Sequence, residues 1–432
     1  MSLSGKSLAL TGAMFLCVQP SLAQVAAGAC SDIIDVLGDA RRHSLEADIV
    51  RAERSQLEAQ RDALGGSAWP QLSTYVQMRG GDYGLSSSSV RNQVGLKATQ
   101  RIYDFSKSRI QQKSYGHSID QKTAEAEQRQ QESVEEAMGL YLGILLDQKR
   151  ADLAGQEMDG LEALARQLEE LSVDGKVTLD ELAQVRAQLA SVRVSQIQSQ
   201  SSVSSAMVRL NALTGQAEIK ACPLTSVRPQ LGMASAAEAF GGADIDYMVS
   251  MQPEVRAAES AIKSIELERE LEKRSRLPDV QIVGLYTYSQ SDFSEPWRER
   301  DSVALEFSVP LLSGGVLKDK RRAVEARLSS ARLQRTVLLR DLATQMREML
   351  QKTDAIALEV EARREALSIR QEYLREMQAA YDAGFRTMRD LIEVRSEIFD
   401  QENLLVEAEV NDLYLRIRLL LLSGQLSNTT GE

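Results

Sequence analysis

The chain has 432 residues, few aromatic residues (5%) and 8 prolines, a composition that suits long helices better than an enzyme core. Its formal net charge of −11 argues against a nucleic-acid partner, because binding phosphates requires clustered lysine and arginine. The two histidines, His43 and His117, have no second metal ligand nearby at helical spacing, which argues against a zinc site or a histidine-based triad.

Residues 1–23 have the pattern of a signal peptide. Lys6 precedes the apolar run LALTGAMFLCV, and SLA at 21–23 offers small residues for cleavage after Ala23. The alternative is a buried amphipathic helix at the N-terminus. Beyond this leader no run of roughly 18 apolar residues is present, so a membrane crossing would require strands.

Removal of the leader takes Cys17 away and leaves Cys30 and Cys222. In an oxidising compartment these two cysteines could form a disulfide, but the sequence does not show that they meet. AAGAC at 26–30 is a weak match to a lipoprotein cleavage site, because Ala27 stands where a larger aliphatic residue is usual.

The chain contains an internal repeat of constant spacing. LSVDGKVTLDELAQVRA at 171–187 lies 209 positions before AYDAGFRTMRDLIEVRS at 380–396, and LTGQ at 213–216 lies 209 before LSGQ at 422–425. One offset held over separate segments indicates duplication. The predicted organisation is a signal peptide (1–23), a first repeat (24–220) with a β-hairpin at 70–103 and a turn near 175, a linker (221–245), a second repeat (246–426) with a β-hairpin at 278–312 and a turn near 384, and a tail (427–432).

Each repeat begins with a helical segment, roughly 31–64 and 246–275, and then enters a β-hairpin after a proline. SVALEFSVP at 302–310 alternates apolar and polar residues, the period of a strand with one apolar face. The polar stretches RGGDYGLSSSS and SDFSEPWRER are predicted to be the hairpin loops. Strands of about ten residues match the length of a tilted membrane strand.

After each hairpin a long stretch without proline, 106–170 and then 316–380, predicts a helix. A helix of that length would extend about 100 Å, which favours coiled-coil packing over a compact domain. Each helix ends at a turn with a glycine tolerant of positive φ, a threonine N-cap and an acid three residues later that completes a capping box. The repeated pairs are Gly175 and Gly384, Thr178 and Thr387, and Glu181 and Asp390.

Four strands from one chain cannot close a barrel, and their edges would leave unpaired backbone groups in lipid. Three chains would supply twelve strands, so a closed barrel that continues into a helical tube is the simplest architecture. The predicted fold class is therefore mainly α with β. Each protomer is a tandem repeat that contributes to a trimeric 12-stranded barrel and a long α-helical coiled-coil barrel.

The order of proline, strand, polar loop, alternating strand, long helix and Gly-x-x-Thr turn, present twice, resembles the TolC family of outer-membrane channel proteins. The resemblance spans about 31 to 426, and its carriers are WPQL and LPDV, IYDFSKS and LLSGGVLKD, the two turns, and LTG and LSG at the ends of the repeats. It implies a homotrimeric exit duct in the outer membrane of a Gram-negative bacterium, embedded in its lipid, with a tunnel through the periplasm. It also implies no enzymatic activity and no cofactor.

The family resemblance also implies partners and a gate. Such ducts engage a periplasmic adaptor protein and an inner-membrane transporter, either an ABC transporter or a proton-driven pump. In the family a tyrosine and an arginine on the second helical hairpin hold the periplasmic mouth closed, and Tyr381 and Arg386 match those positions. The family's acidic partner has no clean match in this sequence: Arg166 falls about there, with Glu169 and Glu170 nearby.

Asp390 and Glu393 are three residues apart on one helix face, and in a trimer they would form a ring of carboxylates around the mouth that attracts cations. The alternative is a helix cap and a solvated face. The hairpin tips are predicted to dock the adaptor, the alternative being plain turns. The tip residues are Gly175, Val177 and Thr178 in the first hairpin and Gly384, Phe385 and Thr387 in the second.

Two functions within transport fit these features. Type I protein secretion with an ABC transporter is favoured modestly, because a good lipidation site is often present in relatives that serve drug efflux pumps and is missing here. The outer-membrane component of a multidrug efflux pump is the alternative. A coiled-coil envelope protein without a pore is a distant third interpretation, since it has no need of two β-hairpins.

Overall fold

The computed structural model describes residues 30–79, 91–173, 177–216, 219–223, 245–290, 296–311 and 314–423. The predicted leader, residues 224–244 of the predicted linker and the tail lie outside these ranges. In chain order the elements are α1 (Ile33–Arg42), α2 (Leu45–Gly66), β1 (Gln71–Arg79), β2 (Arg91–Tyr103), α3 (Lys107–Val173), α4 (Leu179–Thr214), α5 (Ile245–Ser250), α6 (Pro253–Arg274), β3 (Asp279–Gln290), β4 (Arg298–Ser308), α7 (Val316–Asp382) and α8 (Met388–Leu422).

The opening helical segment of each half is interrupted near its start. Asp32 caps α1 by accepting a hydrogen bond from the Ile34 N–H at 3.3 Å, and Ser44 caps α2 by accepting from the Ala47 N–H at 3.3 Å. Ser44 thus starts a second helix where the sequence predicted one helix over 31–64. In the second half Pro253 begins α6, as expected for a residue with no N–H to donate and a helical φ.

The two longest helices, α3 and α7, have 67 residues each and therefore extend about 100 Å. They agree with the stretches without proline at 106–170 and 316–380. Each folds back into a second helix, α4 of 36 residues and α8 of 35 residues. The α3–α4 pair and the α7–α8 pair are two helical hairpins, and α8 also packs against α3 and α4, so the two hairpins lie side by side.

The four strands form one antiparallel sheet in the order β1-β2-β3-β4. The hairpin of the first half is joined to that of the second because β2 pairs with β3, with Val94 opposite Tyr288 and Leu96 opposite Tyr286. β1 and β4 are therefore the edge strands, and the described chain supplies no fifth strand to cover either edge.

A disulfide joins the segment before α1 to the segment after α4, at the place where these helices meet α3. Cys30 and Cys222 form a disulfide, the pairing that the sequence left open. Beside it the Ser31 N–H donates to the Lys220 carbonyl at 2.7 Å. The hydroxyl of Tyr141, a fully buried residue of α3, donates to the Ser31 carbonyl and accepts from the Cys222 N–H, both at 2.9 Å. The segments that precede α1 and follow α4 are thus both attached to α3, the longest helix of the first half.

Candidate functional site

The turn between α7 and α8 has the geometry that the sequence pattern predicts. Gly384 has a φ of 79°, and its N–H donates to the Tyr381 carbonyl at 2.9 Å. The Phe385 N–H reaches the Ala380 carbonyl at 2.9 Å, so carbonyls left open at the end of α7 are satisfied. A side chain at position 384 would strain this backbone, which explains the glycine.

Both hairpins restart their second helix with the same capping box. Thr387 Oγ1 accepts from the Asp390 N–H at 3.3 Å, while the Asp390 carboxylate accepts from the Thr387 N–H at 3.0 Å. Thr178 and Glu181 form the same pair of bonds, at 3.3 and 3.0 Å. Gly175, the predicted turn glycine of the first hairpin, lies outside the described residues.

The tips of the two hairpins lie at one end of the molecule, because a shared apolar core is packed directly behind them. Its members come from α3, α4, α7 and α8, and Val177 and Tyr381 are half-buried against it. Phe385 does not join this core: 82% of its surface is exposed at the outermost turn. The buried core residues include Leu168, Leu182, Val185, Met377, Met388 and Leu391.

The candidate gate residues lie on this tip. Burial raises the pKa of the Tyr381 phenol, and the nearby carboxylates of Glu181 and Asp382 raise it further. Arg386 is exposed on the turn. Of the two acids that act on Tyr381, Glu181 belongs to the first hairpin, and the sequence predicted it only as a helix cap. The internal repeat could have drawn attention to Glu181, because it aligns this residue with Asp390, which the sequence analysis placed at the channel mouth.

The acids considered as substitutes in the sequence lie elsewhere. Glu169 bonds to Arg186, which ties α3 to α4 within the first hairpin. Arg166 is 3.9 Å from Glu162 on its own helix. Of the described contacts, none links Glu169 or Arg166 to Tyr381.

An ion pair between the hairpins escaped the sequence analysis. Arg395 of α8 donates through Nε and Nη2 to the two carboxylate oxygens of Glu157 on α3, at 3.1 and 2.8 Å. Both side chains are largely buried, with 20% and 16% exposed. A Cβ atom at Gly160 would lie 2.6 Å from Arg395 Nη2, so this glycine makes room for the guanidinium. The pair fixes the second hairpin against the first.

The two candidate ring acids differ in their surroundings. The Asp390 carboxylate is held by Thr387, whose backbone and side-chain hydrogen bonds lower the pKa of this acid below its ordinary value. Glu393 is exposed one turn further and lines a shallow groove between α4 and α8 with Gln184, Gln188 and Arg389. Asp390 is therefore both a cap and a charged group at any pH near neutral.

One face of the sheet is apolar and open to its surroundings. The register places Leu72 opposite Ala98, Val94 opposite Tyr288, and Ile282 opposite Leu305, so one set of alternate residues shares this face across all four strands. The other set is mostly polar. Exposed members of the apolar face are Leu72, Val76, Met78, Val94, Leu96, Ile282, Tyr286, Tyr288, Val303, Leu305 and Phe307.

On the polar face, Tyr75 lies across Gly95. A Cβ at Gly95 would come within 2.8 Å of the Tyr75 ring, so the glycine leaves space for the aromatic side chain. The Tyr75 hydroxyl also contacts Thr287 Oγ1 at 3.0 Å and accepts from Gln93 Nε2 at 2.8 Å. These bonds connect three strands on the polar side of the sheet.

Helices do not provide a membrane crossing within the described ranges, since none of them carries a sufficiently long apolar window. Groups of three or more histidine, cysteine, aspartate or glutamate side chains arranged for a metal ion were likewise not found among the described residues.

Comparison with known proteins gives one consistent family. Residues 37–216 and 248–425 match the family model of the outer membrane efflux protein. The chain is 22% identical over 309 residues to alkaline protease secretion protein AprF of Pseudomonas aeruginosa, covering 70% of this chain and 63% of AprF. It is 21% identical over 363 residues to outer membrane protein TolC of Escherichia coli K12, covering 80% of this chain and 71% of TolC.

Solved structures share the fold. CusC has a TM-score of 0.78 at 14% identity and covers 91% of this chain and 92% of its own. The outer membrane protein VceC of Vibrio cholerae has a TM-score of 0.75 at 15% identity and covers 91% of this chain and 96% of its own.

Proposed function

The chain belongs to the outer membrane efflux protein family, and from that membership we propose that it is the exit channel through which a tripartite system secretes a protein. Family membership makes it an outer-membrane channel protein rather than an enzyme. The observation that carries the proposal is the sheet, whose exposed apolar face spans four strands and whose two hairpins each lead into a helix of about 100 Å.

We propose a homotrimer, and the edges of that sheet support it. β1 and β4 each present backbone donors and acceptors that a single described chain leaves uncovered, and lipid cannot satisfy them. Pairing β1 of one copy with β4 of the next removes every edge when three copies close a twelve-stranded barrel. The helical hairpins of the three copies would then line a tunnel toward a periplasmic adaptor and an inner-membrane transporter.

Protein secretion is preferred over small-molecule efflux because the chain is similar to AprF, whose name assigns it to protease secretion. The alternative, the outer-membrane component of a drug efflux pump, is favoured by the description of the matched family. Both use the same channel, so the cargo depends on the inner-membrane partner.

A deletion strain separates the two functions. We expect loss of this chain to remove one or a few large proteins from the culture medium, with the accumulation of a fluorescent dye unchanged. Increased dye accumulation with an unchanged set of secreted proteins would instead support the efflux alternative. Purified protein that conducts no ions in a planar bilayer would reject both and leave the coiled-coil envelope interpretation.

We also propose that Tyr381 and Arg386 hold the periplasmic mouth closed. The gating role of Tyr381 is supported by its half-buried position beside Glu181 of the neighbouring hairpin. That of Arg386 is supported by its exposure at the tip. Arg386→Ala is expected to raise single-channel conductance several-fold in a planar bilayer, because it removes a charge that could pair with an adjacent subunit. Arg375→Ala, at an exposed arginine two turns before the end of α7, should leave conductance unchanged.

Asp390 and Glu393 are proposed to form the cation-attracting ring. We expect Asp390→Asn with Glu393→Gln to bring the reversal potential in a salt gradient close to zero, since six charges would leave the mouth of a trimer. In the parent channel the hydrogen bonds from Thr387 lower the pKa of Asp390. Cation selectivity should therefore persist as the pH falls into the range where an ordinary aspartate becomes protonated. Selectivity unaffected by the double substitution would assign these acids to capping alone.

A further inference from the structure

We propose that a basic collar, formed by Arg109, Lys113, Arg276, Lys318 and Lys320, binds anionic phospholipid headgroups in the inner leaflet of the outer membrane. All five side chains are exposed, and none of them has an ion pair within the described residues. The proposal rests on the insertion of the sheet into that membrane and adds the class of lipid that its lower rim selects.

Three contacts bring the collar elements to one level beneath the sheet. Lys107 Nζ at the start of α3 donates to the Leu277 carbonyl at 2.7 Å, which places α3 beside the start of β3. Arg274 Nη1 at the end of α6 donates to the Phe105 carbonyl at 3.0 Å, and Arg321 Nη2 of α7 reaches the Lys273 carbonyl at 3.4 Å. The strand-to-helix junctions of both halves therefore lie together.

Four acids at these junctions have partners outside the collar. Asp279 is 3.1 Å from Lys107, Glu270 is 3.2 Å from Arg274, and Asp319 is 3.9 Å from Arg322. Asp104 accepts from the Ser108 N–H at 2.8 Å. Burial raises the pKa of Asp104, but hydrogen bonds from Ser108 and Ser106, together with the charge of Arg101, outweigh that effect and lower the pKa overall. None of these four acids forms an ion pair with a collar side chain among the described residues.

The position of the collar relative to the apolar face fits a bilayer interface. Exposed apolar side chains continue to the helix-side end of the sheet, with Trp69 73% exposed and Leu311 92% exposed. The collar residues of α3 and α7 lie within two turns of their helix starts, about 3 to 9 Å further along. That distance matches the headgroup layer, which adds on the order of 5 to 8 Å to each side of the hydrocarbon core. Phosphate groups of the inner leaflet would therefore meet the collar.

The two tryptophans of the chain provide reporters at opposite ends of the sheet. Trp69 precedes β1 at the helix-side end, whereas Trp297 precedes β4 at the loop-side end and stacks on Tyr288. In a Trp297→Phe background, fluorescence of Trp69 can be quenched by brominated phosphatidylglycerol or brominated phosphatidylcholine in vesicles of either lipid mixture. The purified mature protein is used, and its trimeric state is checked before each measurement.

We expect the anionic lipid to quench Trp69 preferentially, with a preference that falls about fivefold for each charge removed by Lys318→Gln and Lys320→Gln. The preference should also weaken in high salt. Lys352→Gln with Arg375→Gln, the same charge loss on exposed α7 positions further from the sheet, should retain it. With Trp69→Phe, the Trp297 reporter should show no preference, because Arg298 and Arg300 there alternate with Glu299 and Asp301.

Equal quenching of Trp69 by the two lipids, or a preference that survives both collar substitutions, would overturn the proposal. Collar variants that no longer form the trimer would assign these charges to contacts between subunits and would overturn it as well. Absence of quenching by either lipid is a different result, since it would show that the sheet does not enter the bilayer and would refute the proposed channel.

Discussion

Replacing Cys30 and Cys222 with serine is expected to lower the free energy of unfolding by about 5 kcal/mol. The disulfide joins residues separated by 192 positions, and the entropy that a cross-link removes from the unfolded chain grows with the length of the loop. Cys222 is buried with 2% of its surface exposed, and its Sγ lies 3.3 Å from the Ser31 carbonyl, so a serine hydroxyl there would depend on that acceptor to replace its solvation. The expected measurement is urea unfolding of the detergent-solubilised protein, followed by the loss of helical signal.

Tyr141→Phe is the matched control for this experiment. It removes the hydroxyl that accepts from the Cys222 N–H and donates to the Ser31 carbonyl, but it leaves the cross-link in place. Its cost is expected to be about 1 to 3 kcal/mol, the penalty for leaving a buried backbone group unpaired. Reductant should destabilise the parent protein and should not affect the double serine variant. A loss below about 1 kcal/mol for the serine variant would show that the neighbouring contacts, not the cross-link, close the first half.

The sequence was sufficient for the elements that depend on local pattern. The absence of proline in 106–170 and 316–380 predicted α3 and α7, and alternation in 302–310 predicted β4. Thr387 with Asp390 forms the predicted capping box because that motif needs only residues three positions apart. The pairing within each β-hairpin could also be predicted, because the two strands are neighbours in the sequence.

Features that depend on contacts between distant segments could not be predicted. Ser44 interrupts the first helical segment because its side chain accepts a hydrogen bond from the Ala47 N–H. In an uninterrupted helix that N–H would bond to a backbone carbonyl instead. Arg395 meets Glu157 across 238 positions, and no periodicity signals such a pair. The same holds for Glu181 beside Tyr381, since their proximity requires that the two helical hairpins lie side by side.

Substitution of Gly384 by valine is expected to abolish export while the trimer still assembles in the outer membrane. The residue has a φ of 79°, and a Cβ atom there would find nothing within 4 Å, so the variant strains the backbone without a clash inside the protomer. We propose that the tip of the second hairpin meets a tip of the adaptor at this point. A branched side chain would then separate the two surfaces and distort the turn that presents Phe385.

Gly314→Val separates strain from docking. Gly314 has a φ of 55°, and a Cβ atom added there would also have nothing within 4 Å, yet the residue lies at the start of α7, at the opposite end of the helix from the tip. Backbone strain of about 1 to 3 kcal/mol should be similar at the two positions, so export should survive in this control.

Phe385→Ala tests the same surface without strain. Because 82% of the Phe385 side chain is exposed in the described chain, its removal should leave the free energy of unfolding within about 0.5 kcal/mol of the parent value. If the ring inserts into the adaptor, as central aromatic residues do in protein interfaces, export should fall at least tenfold. Normal export by both Gly384→Val and Phe385→Ala would exclude tip-to-tip docking at this hairpin, and the adaptor would then have to engage the outer sides of the helices. Loss of export by Gly384→Val alone would assign the effect to the shape of the turn, since Phe385 would contribute no contact.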